Sequence, residues 1–186
     1  MSATTWRSML TMPVSPARDH IRGPIDAPVT LLEYGDYECP FCGAAHAVVN
    51  TILAQVGDAV RFVFRHFPMT TAHPHAELAA EAAEAAASQQ RFWDMHDMLY
   101  ANQQQLDGPS LLAYASALAL DLNRYSAEVA GHMHLPKISE DFMSGVRSGV
   151  NGTPTFFING VRHDGGWDYN ALIMALQRAA VVSAAA

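Results

Sequence analysis

The chain has 186 residues, half of them hydrophobic, with 18 acidic and 11 basic side chains and a formal charge of −7. That length suits one domain, or one domain with a large insertion. The acidic balance and the lack of any basic run speak against a nucleic-acid surface, and no apolar run approaches the about 20 residues of a membrane helix.

Residues 1–24 read as an arm. Pro13, Pro16, Arg18, Asp19 and His20 give it a turn-like composition, and Gly23-Pro24 punctuates its end. It holds only a short Met9-Leu10 where a secretory leader needs an apolar core of about 7–15 residues. The expected location is therefore cytoplasmic, unless a leader has been removed. In a reducing compartment a lone cysteine pair is more often catalytic than structural.

Asp26-Ala27-Pro28 launches a strand over 29–34, Val-Thr-Leu-Leu-Glu-Tyr. The only two cysteines follow in Cys39-Pro40-Phe41-Cys42. Ala44, Ala45, Ala47, Val48, Ile52 and Leu53 then recur at helical spacing, which predicts a helix from about Cys39 to Gln55 that Gly57-Asp58 stops. The pair thus sits where a strand ends and a helix begins. Unpaired N–H groups and the positive end of the helix dipole stabilise a thiolate there. Pro40 fits the first turn because it has no N–H to leave unpaired. Residues three apart share a helix face, so the two sulfurs can meet as a disulfide.

Val60 to Phe67 is a second strand, and strand–helix–strand over this length makes a βαβ unit with parallel strands. Strand signals then vanish for some seventy residues. Glu77 to Gln90 is an alanine-rich helix whose Glu77, Glu81 and Glu84 read as a solvated face. A second amphipathic stretch carries Phe92, Trp93, Met95, Met98, Leu99 and Tyr100, and Gly108-Pro109-Ser110 breaks it. Leu111 to Leu120 is a third helix. Asp121 or Asn123 caps a fourth ending near Gly131, and Pro136 separates it from a fifth over Lys137 to Ser148. A strand returns at Thr155 to Ile158. Asn159-Gly160 is a strong hairpin signal into Val161-Arg162-His163, Gly165-Gly166 turns the chain, and Asp168 caps a last helix to about Ala180, with a fraying tail.

A second reading of the cysteines is half of a zinc site. Structural zinc usually takes four protein ligands, and no second cysteine pair exists, so neither a metal nor any other cofactor is expected. His46 follows Cys42 by one helical turn and either lends positive charge or packs in the core. His73-Pro74-His75 suits a helix start better than a metal.

Four stretches in order carry a resemblance. They are Glu33-Tyr34-Gly35-Asp36-Tyr37-Glu38-Cys39-Pro40-Phe41-Cys42, Arg65-His66-Phe67-Pro68, Arg91-Phe92-Trp93-Asp94-Met95-His96, and Gly152-Thr153-Pro154-Thr155-Phe156-Phe157-Ile158-Asn159-Gly160. Over roughly residues 25–180 the chain resembles DsbA-like thiol–disulfide oxidoreductases. This implies an α/β thioredoxin fold with an all-helical insertion between its βαβ and ββα halves. The divisions are then an arm at 1–24, a first half at 25–72, the insertion at 73–149, and a second half with tail at 150–186.

The resemblance makes Cys39 the exposed nucleophile, forming mixed disulfides with protein or peptide substrates, and Cys42 the more buried resolving cysteine. Thr153-Pro154 matches the family's cis-proline loop, whose backbone meets a bound peptide in strand fashion; an ordinary trans proline opening a strand is the alternative. Pro40, Phe41, Thr153 and Pro154 are the candidate substrate-binding residues, with Tyr37, Phe67 and Met69 as further apolar candidates near the cleft. Glu33 lies on one strand face with Val29 and Leu31 and matches the family's acidic position. A buried carboxylate there has a raised pKa and can shuttle protons for Cys42; a carboxylate reaching solvent at the strand end is the alternative.

Phe41 departs from the best-known pattern, which has histidine between the cysteines. Phenylalanine donates neither charge nor hydrogen bond to the Cys39 thiolate, so a weaker oxidant is expected, at about −180 to −240 mV, between DsbA near about −120 and thioredoxin near about −270 mV. The expected partners are protein or peptide thiols and disulfides, with glutathione or another redox protein as co-reactant, and neither nucleic acid nor membrane. Two other functions compete. A glutathione-dependent transferase or isomerase would not need Cys42, and a non-catalytic thioredoxin-like binding module or chaperone would need neither cysteine.

Overall fold

The structure, a computed structural model, describes residues 8–184; the first residues of the arm and the last two of the tail lie outside them. Its order is β1 (His20–Arg22), β2 (Val29–Gly35), α1 (Pro40–Val56), β3 (Val60–His66), α2 (Ala76–Ala87), α3 (Phe92–Ala101), α4 (Gly108–Ala117), α5 (Leu122–Ala130), α6 (Leu135–Arg147), β4 (Thr155–Ile158), β5 (Val161–His163) and α7 (Tyr169–Ala184). One five-stranded sheet runs β1-β3-β2-β4-β5. β2 and β3 are parallel, with Leu31 opposite Phe62 and Glu33 opposite Phe64, and the other pairs are antiparallel. This is a thioredoxin fold with α2–α6 inserted between its halves.

The sheet is covered on both sides. On one face Val29, Leu31, Phe62, Phe64, Phe156 and Ile158 pack with α1, α7 and the insertion. On the other, Leu32, Tyr34, Val63, Phe67 and Phe157 meet Phe142 of α6 and Leu10, Val14 and Ile21 of the arm. β2 is therefore apolar on both faces, as a strand buried on two sides must be.

The arm is more structured than its composition suggests. His20–Arg22 pairs with β3, and Met9 bridges Val161 on β5. Arg65, fully buried, holds it: its guanidinium makes two hydrogen bonds to Asp19, at 2.9 and 3.0 Å, and others to the carbonyls of Met12 and Pro13. A three-residue strand gives no periodicity to read, and its anchor lies more than forty residues away.

Two glutamates of α2 correct the sequence reading. Glu77 is exposed, but Glu81 and Glu84 are 1% and 5% accessible. α2 is the central helix of the insertion, and its alanines are buried nearly all round because small side chains let neighbouring helices close in. Glu81 pairs with His132 at 3.0 Å, and Glu84 accepts from both His20 and His66 at 2.8 Å. Proline placement is a second correction. Pro109 and Pro136 lie in the first turns of α4 and α6 rather than between helices, where a missing N–H costs nothing. Asp107, Asp121 and Asp168 cap α4, α5 and α7, and α7 continues beyond Ala180 to Ala184.

Candidate active site

The site is built where β2 hands over to α1. Cys39 is the N-cap in extended conformation, with Pro40 opening the helix. The preceding loop is fixed by Asp36, 2% accessible, whose carboxylate accepts from the backbone N–H of Glu38 and Met69 and from His73 Nδ1, each at 2.8 Å. Gln103, just past α3, donates from one Nε2 to the carbonyls of Tyr37 and Cys39, both at 2.8 Å. Its carboxamide lies so close over Gly43 that a Cβ there would run into it. The stretch between β3 and α2 and the stretch after α3 thus both hold the cysteine loop.

The cysteines are free thiols and both are buried, Cys39 at 3% and Cys42 at 0% accessible. Cys39 is thus less exposed than the resemblance implies, because the carbonyl of Thr153 approaches its sulfur to 3.5 Å. The Thr153–Pro154 peptide bond is cis. Thr153 and Pro154 are half-buried, while Pro40 and Phe41 are exposed, Phe41 at 62%. Of these residues, Thr153 touches the Cys39 sulfur directly.

The two sulfurs differ sharply in acidity. The Cys42 thiol hydrogen bond lowers the Cys39 pKa to about 5, against burial, with help from the Thr153 side chain and the backbone N–H groups of Cys42 and Phe41. Burial pushes Cys42 well above its ordinary value, and the hydrogen bond to Cys39 and the Glu33 and Cys39 charges push it the same way. Hence Cys39 is a thiolate at neutral pH and Cys42 a thiol.

Glu33 is 1% accessible, on the sheet face that also carries Val29 and Leu31. Burial, reinforced by the Cys39 charge, raises its pKa to about 8, and its Oε1 has no hydrogen-bond partner. It does not reach solvent. The hydroxyl of Tyr100, also buried and unpartnered, packs over Gly35, two residues further along the same strand face.

Other candidates separate into site and core. Met69 lies beside Thr153, its sulfur 3.9 Å from the hydroxyl. A hollow of about 480 Å³ lined by Pro68, Thr70, Leu135, Pro136 and Phe142 opens next to it. Tyr37 and Phe67 are core residues: Tyr37 stacks on Phe64, and Phe67 on Phe142. A larger hollow of about 710 Å³ between β5 and α7 contains none of these residues. His46 packs its ring on Tyr100, and burial, with a smaller contribution from Arg22, holds its pKa below the ordinary value, so it lends the thiolate no charge at neutral pH. His73 and His75 pair with Asp36 and Glu38 of the cysteine loop; only His75 also sits at a helix start.

A family model described as thioredoxin matches residues 16–178. The chain belongs to the thioredoxin family. Within it, the helical insertion gives the DsbA-like arrangement. A solved structure of alpha-DsbA1 from Wolbachia pipientis is 20% identical, with a TM-score of 0.80, over 95% of this chain and 96% of that one. A thioredoxin-like oxidoreductase from Silicibacter pomeroyi is 26% identical, with a TM-score of 0.78, over 92% and 95%. Among curated proteins, one from Salinispora arenicola named Na(+)/H(+) antiporter NhaA 1 is 49% identical over 170 residues, 91% of this chain. The chain spans only 26% of that relative's length, and among the described residues no helix is long and apolar enough to cross a membrane.

Asp36, Gln103 and Tyr100 are the site residues that sequence reasoning passed over. Asp36 sits inside the quoted cysteine motif, so position alone could have raised it. Gln103 lies in the polar run Gln103-Gln104-Gln105, which carries no periodicity.

Proposed function

We propose that this protein is a thiol–disulfide oxidoreductase acting on protein or peptide thiols and disulfides. The observation that carries the reading is the division of labour between the sulfurs, a thiolate at Cys39 and a buried thiol at Cys42. In the reducing direction the Cys39 thiolate attacks a substrate disulfide. One substrate sulfur leaves as thiolate, and the other is held in a mixed disulfide on Cys39. Cys42 then loses its proton and attacks the Cys39 sulfur, releasing the second substrate thiolate and leaving a Cys39–Cys42 disulfide. The oxidising direction is the reverse.

Glu33 is the proton relay in this scheme. The Cys39 thiolate is one of the causes of its raised pKa, and that charge disappears once Cys39 is in a disulfide. Glu33 therefore becomes more acidic when a base is needed beside Cys42. The exposed ring of Phe41 and the partly exposed Thr153–Pro154 backbone form the surface that receives the substrate chain, with Met69 at its edge.

The Cys39 pKa of about 5 lies between those of DsbA, about 3.5, and thioredoxin, about 7. It supports an intermediate potential of about −180 to −240 mV. In a cytoplasm at about −300 mV such a pair rests reduced, so the cytoplasmic protein is a reductase or isomerase; in an oxidising compartment the same pair oxidises. The test is the potential of the Cys39–Cys42 pair in glutathione buffers, with Cys39→Ser as control. Reversible exchange near −200 mV, expected at about that value, supports the reading. Failure to form the disulfide at any poise overturns it in favour of glutathione transfer or a binding module.

The match to longer proteins named Na(+)/H(+) antiporter favours a compatible second reading, in which a membrane transporter is one exchange partner. A Cys42→Ser variant traps mixed disulfides for identification. A transporter among the trapped proteins supports this reading, and exclusively soluble ones remove it.

A further inference from the structure

Beneath the catalytic dithiol, three metal-ligating side chains converge from two helices: His46 of α1, one turn past Cys42, and His96 and Asp97 of α3. Their ligand atoms all lie within 4.8 Å of one another. His46 Nε2 and Asp97 Oδ1 are 3.4 Å apart. Zinc bonds of about 2.0–2.1 Å at tetrahedral angles place neighbouring ligand atoms about 3.3–3.4 Å apart. The His46–Asp97 pair has the spacing of two ligands around one ion.

The hydrogen-bond pattern says what lies between them. Arg22 Nη1 donates to Asn50 Oδ1 at 3.2 Å, which fixes the amide and turns its Nδ2 toward His46 Nε2 at 3.0 Å. An amide nitrogen can only donate, so His46 Nε2 offers a lone pair there. Asp97 Oδ1 is also an acceptor, and it is buried without a hydrogen-bond partner. Both atoms are thus acceptors, and Asp97 Oδ1 lacks the donor that the Asn50 amide supplies to His46. Tyr37 is hydrogen-bonded to His96 Nδ1 at 3.1 Å, orienting that ring as an outer partner orients a metal-bound imidazole. Arg22 holds the other Asp97 oxygen at 2.7 Å. Asp97 Oδ1 is buried while its side chain as a whole is 45% accessible, so the cluster lies just beneath the surface.

The second histidine–carboxylate cluster shows the contrast. His20 and His66 each donate to Glu84 Oε1 at 2.8 Å. Protons already occupy that cluster, and it asks for no ion.

We propose that His46, His96 and Asp97 form a binding site for a divalent cation of the zinc class. Two imidazoles and one carboxylate are donors that suit zinc and its late first-row neighbours rather than calcium or magnesium. Binding requires the Asn50 amide to release His46 Nε2, and the Arg22 cation opposes the ion's charge, so the site is weaker than a structural zinc centre. Its effect is mechanical: the ion joins the catalytic helix α1 to α3, whose following residue Gln103 already holds the Cys39 carbonyl.

The test uses the full chain oxidised, so that the Cys39–Cys42 disulfide cannot offer thiolates. Zn²⁺ is titrated in competition with a chromophoric chelator, and Co²⁺ is followed by its visible absorption. One equivalent is expected to bind, with Co²⁺ giving a tetrahedral or five-coordinate nitrogen–oxygen spectrum. His46→Gln and Asp97→Asn, each checked for native circular dichroism, are expected to weaken binding by about tenfold or more, the range that loss even of an outer partner produces. His163→Gln, on the edge strand β5, is the control. Absence of binding to the oxidised wild-type chain overturns the proposal, whatever the variants do. So does binding that folded His46→Gln and Asp97→Asn leave unchanged.

Discussion

Glu33 and Glu84 are both almost wholly buried on the same side of the sheet, and they are opposite in charge behaviour. Glu33 pairs in register with Phe64, while Glu84 reaches His66, two residues further along β3. Burial raises Glu33 to about 8, since its Oε1 has no partner. Burial pushes Glu84 up as well, but hydrogen bonds from His20 and His66 and their charges drive it well below the ordinary carboxylate value. Unequal partnering of two buried carboxylates separates one kept ready to exchange a proton from one locked into the fold.

The strongest way to break the comparison is Glu84→Ala. It removes the acceptor shared by two imidazoles, and breaking such a buried cluster costs about 3–5 kcal/mol at neutral pH, measured by urea denaturation. Since the folded pKa of Glu84 is depressed, its contribution is present above the ordinary carboxylate range and fades as pH falls through the depressed value. An unchanged midpoint in Glu84→Ala contradicts the assignment.

Glu33→Gln goes the other way. A carboxyl raised from 4.5 to about 8 binds its proton more tightly folded than unfolded, so stability declines as pH rises across that interval and levels off above it. The ceiling of that penalty is about 5 kcal/mol, and relaxation around the charge reduces it. The reduced Glu33→Gln protein is therefore expected to be about 2–4 kcal/mol more stable than wild type at pH 9 and about equal at pH 4. Greater stability in the wild type at pH 9 would show that Glu33 has a partner in solution.

The same variant tests the relay. Resolution of a mixed disulfide on Cys39 is expected to slow by about 10²-fold, the lower end of what a positioned acid–base group supplies, with alkylation of Cys39 still titrating near the pKa of about 5. Equal resolution rates would leave Glu33 a structural residue. The smallest effect expected is at the exposed position between the cysteines. Phe41→His adds a donor beside the thiolate and should raise the potential by about 30 mV, a tenfold change in equilibrium constant, read in glutathione buffers. No shift would mean that the helix terminus alone sets the thiolate.

The sheet and the cysteine site were largely legible, because their signals are local. Val29–Tyr34, the cysteine pair and the alanine-rich start of α1 are contiguous, and Asn159-Gly160 announces the hairpin by itself. Glu33 was legible from strand alternation. What escaped depends on distant partners. The spacing of Glu81 and Glu84 is the same whether a helix faces water or lies among other helices, and only His132, His20 and His66 decide between them. The low exposure of Cys39 depends on Thr153, more than a hundred residues away. Gln103 acts through backbone carbonyls, which have no sequence signature.

The clamp between Arg65 and the arm bears on where the folding unit begins. Cutting at Gly23-Pro24, the punctuation that sequence suggests, would remove Asp19 and the carbonyls of Met12 and Pro13 together. Arg65 would lose its counter-charge and two carbonyl acceptors at once, and the sheet face beneath the arm would open to water. A shortened version that keeps this clamp starts at or before Met12, and residues 12–22, mostly half-buried around the buried Asp19, are the cover of the sheet face they cross.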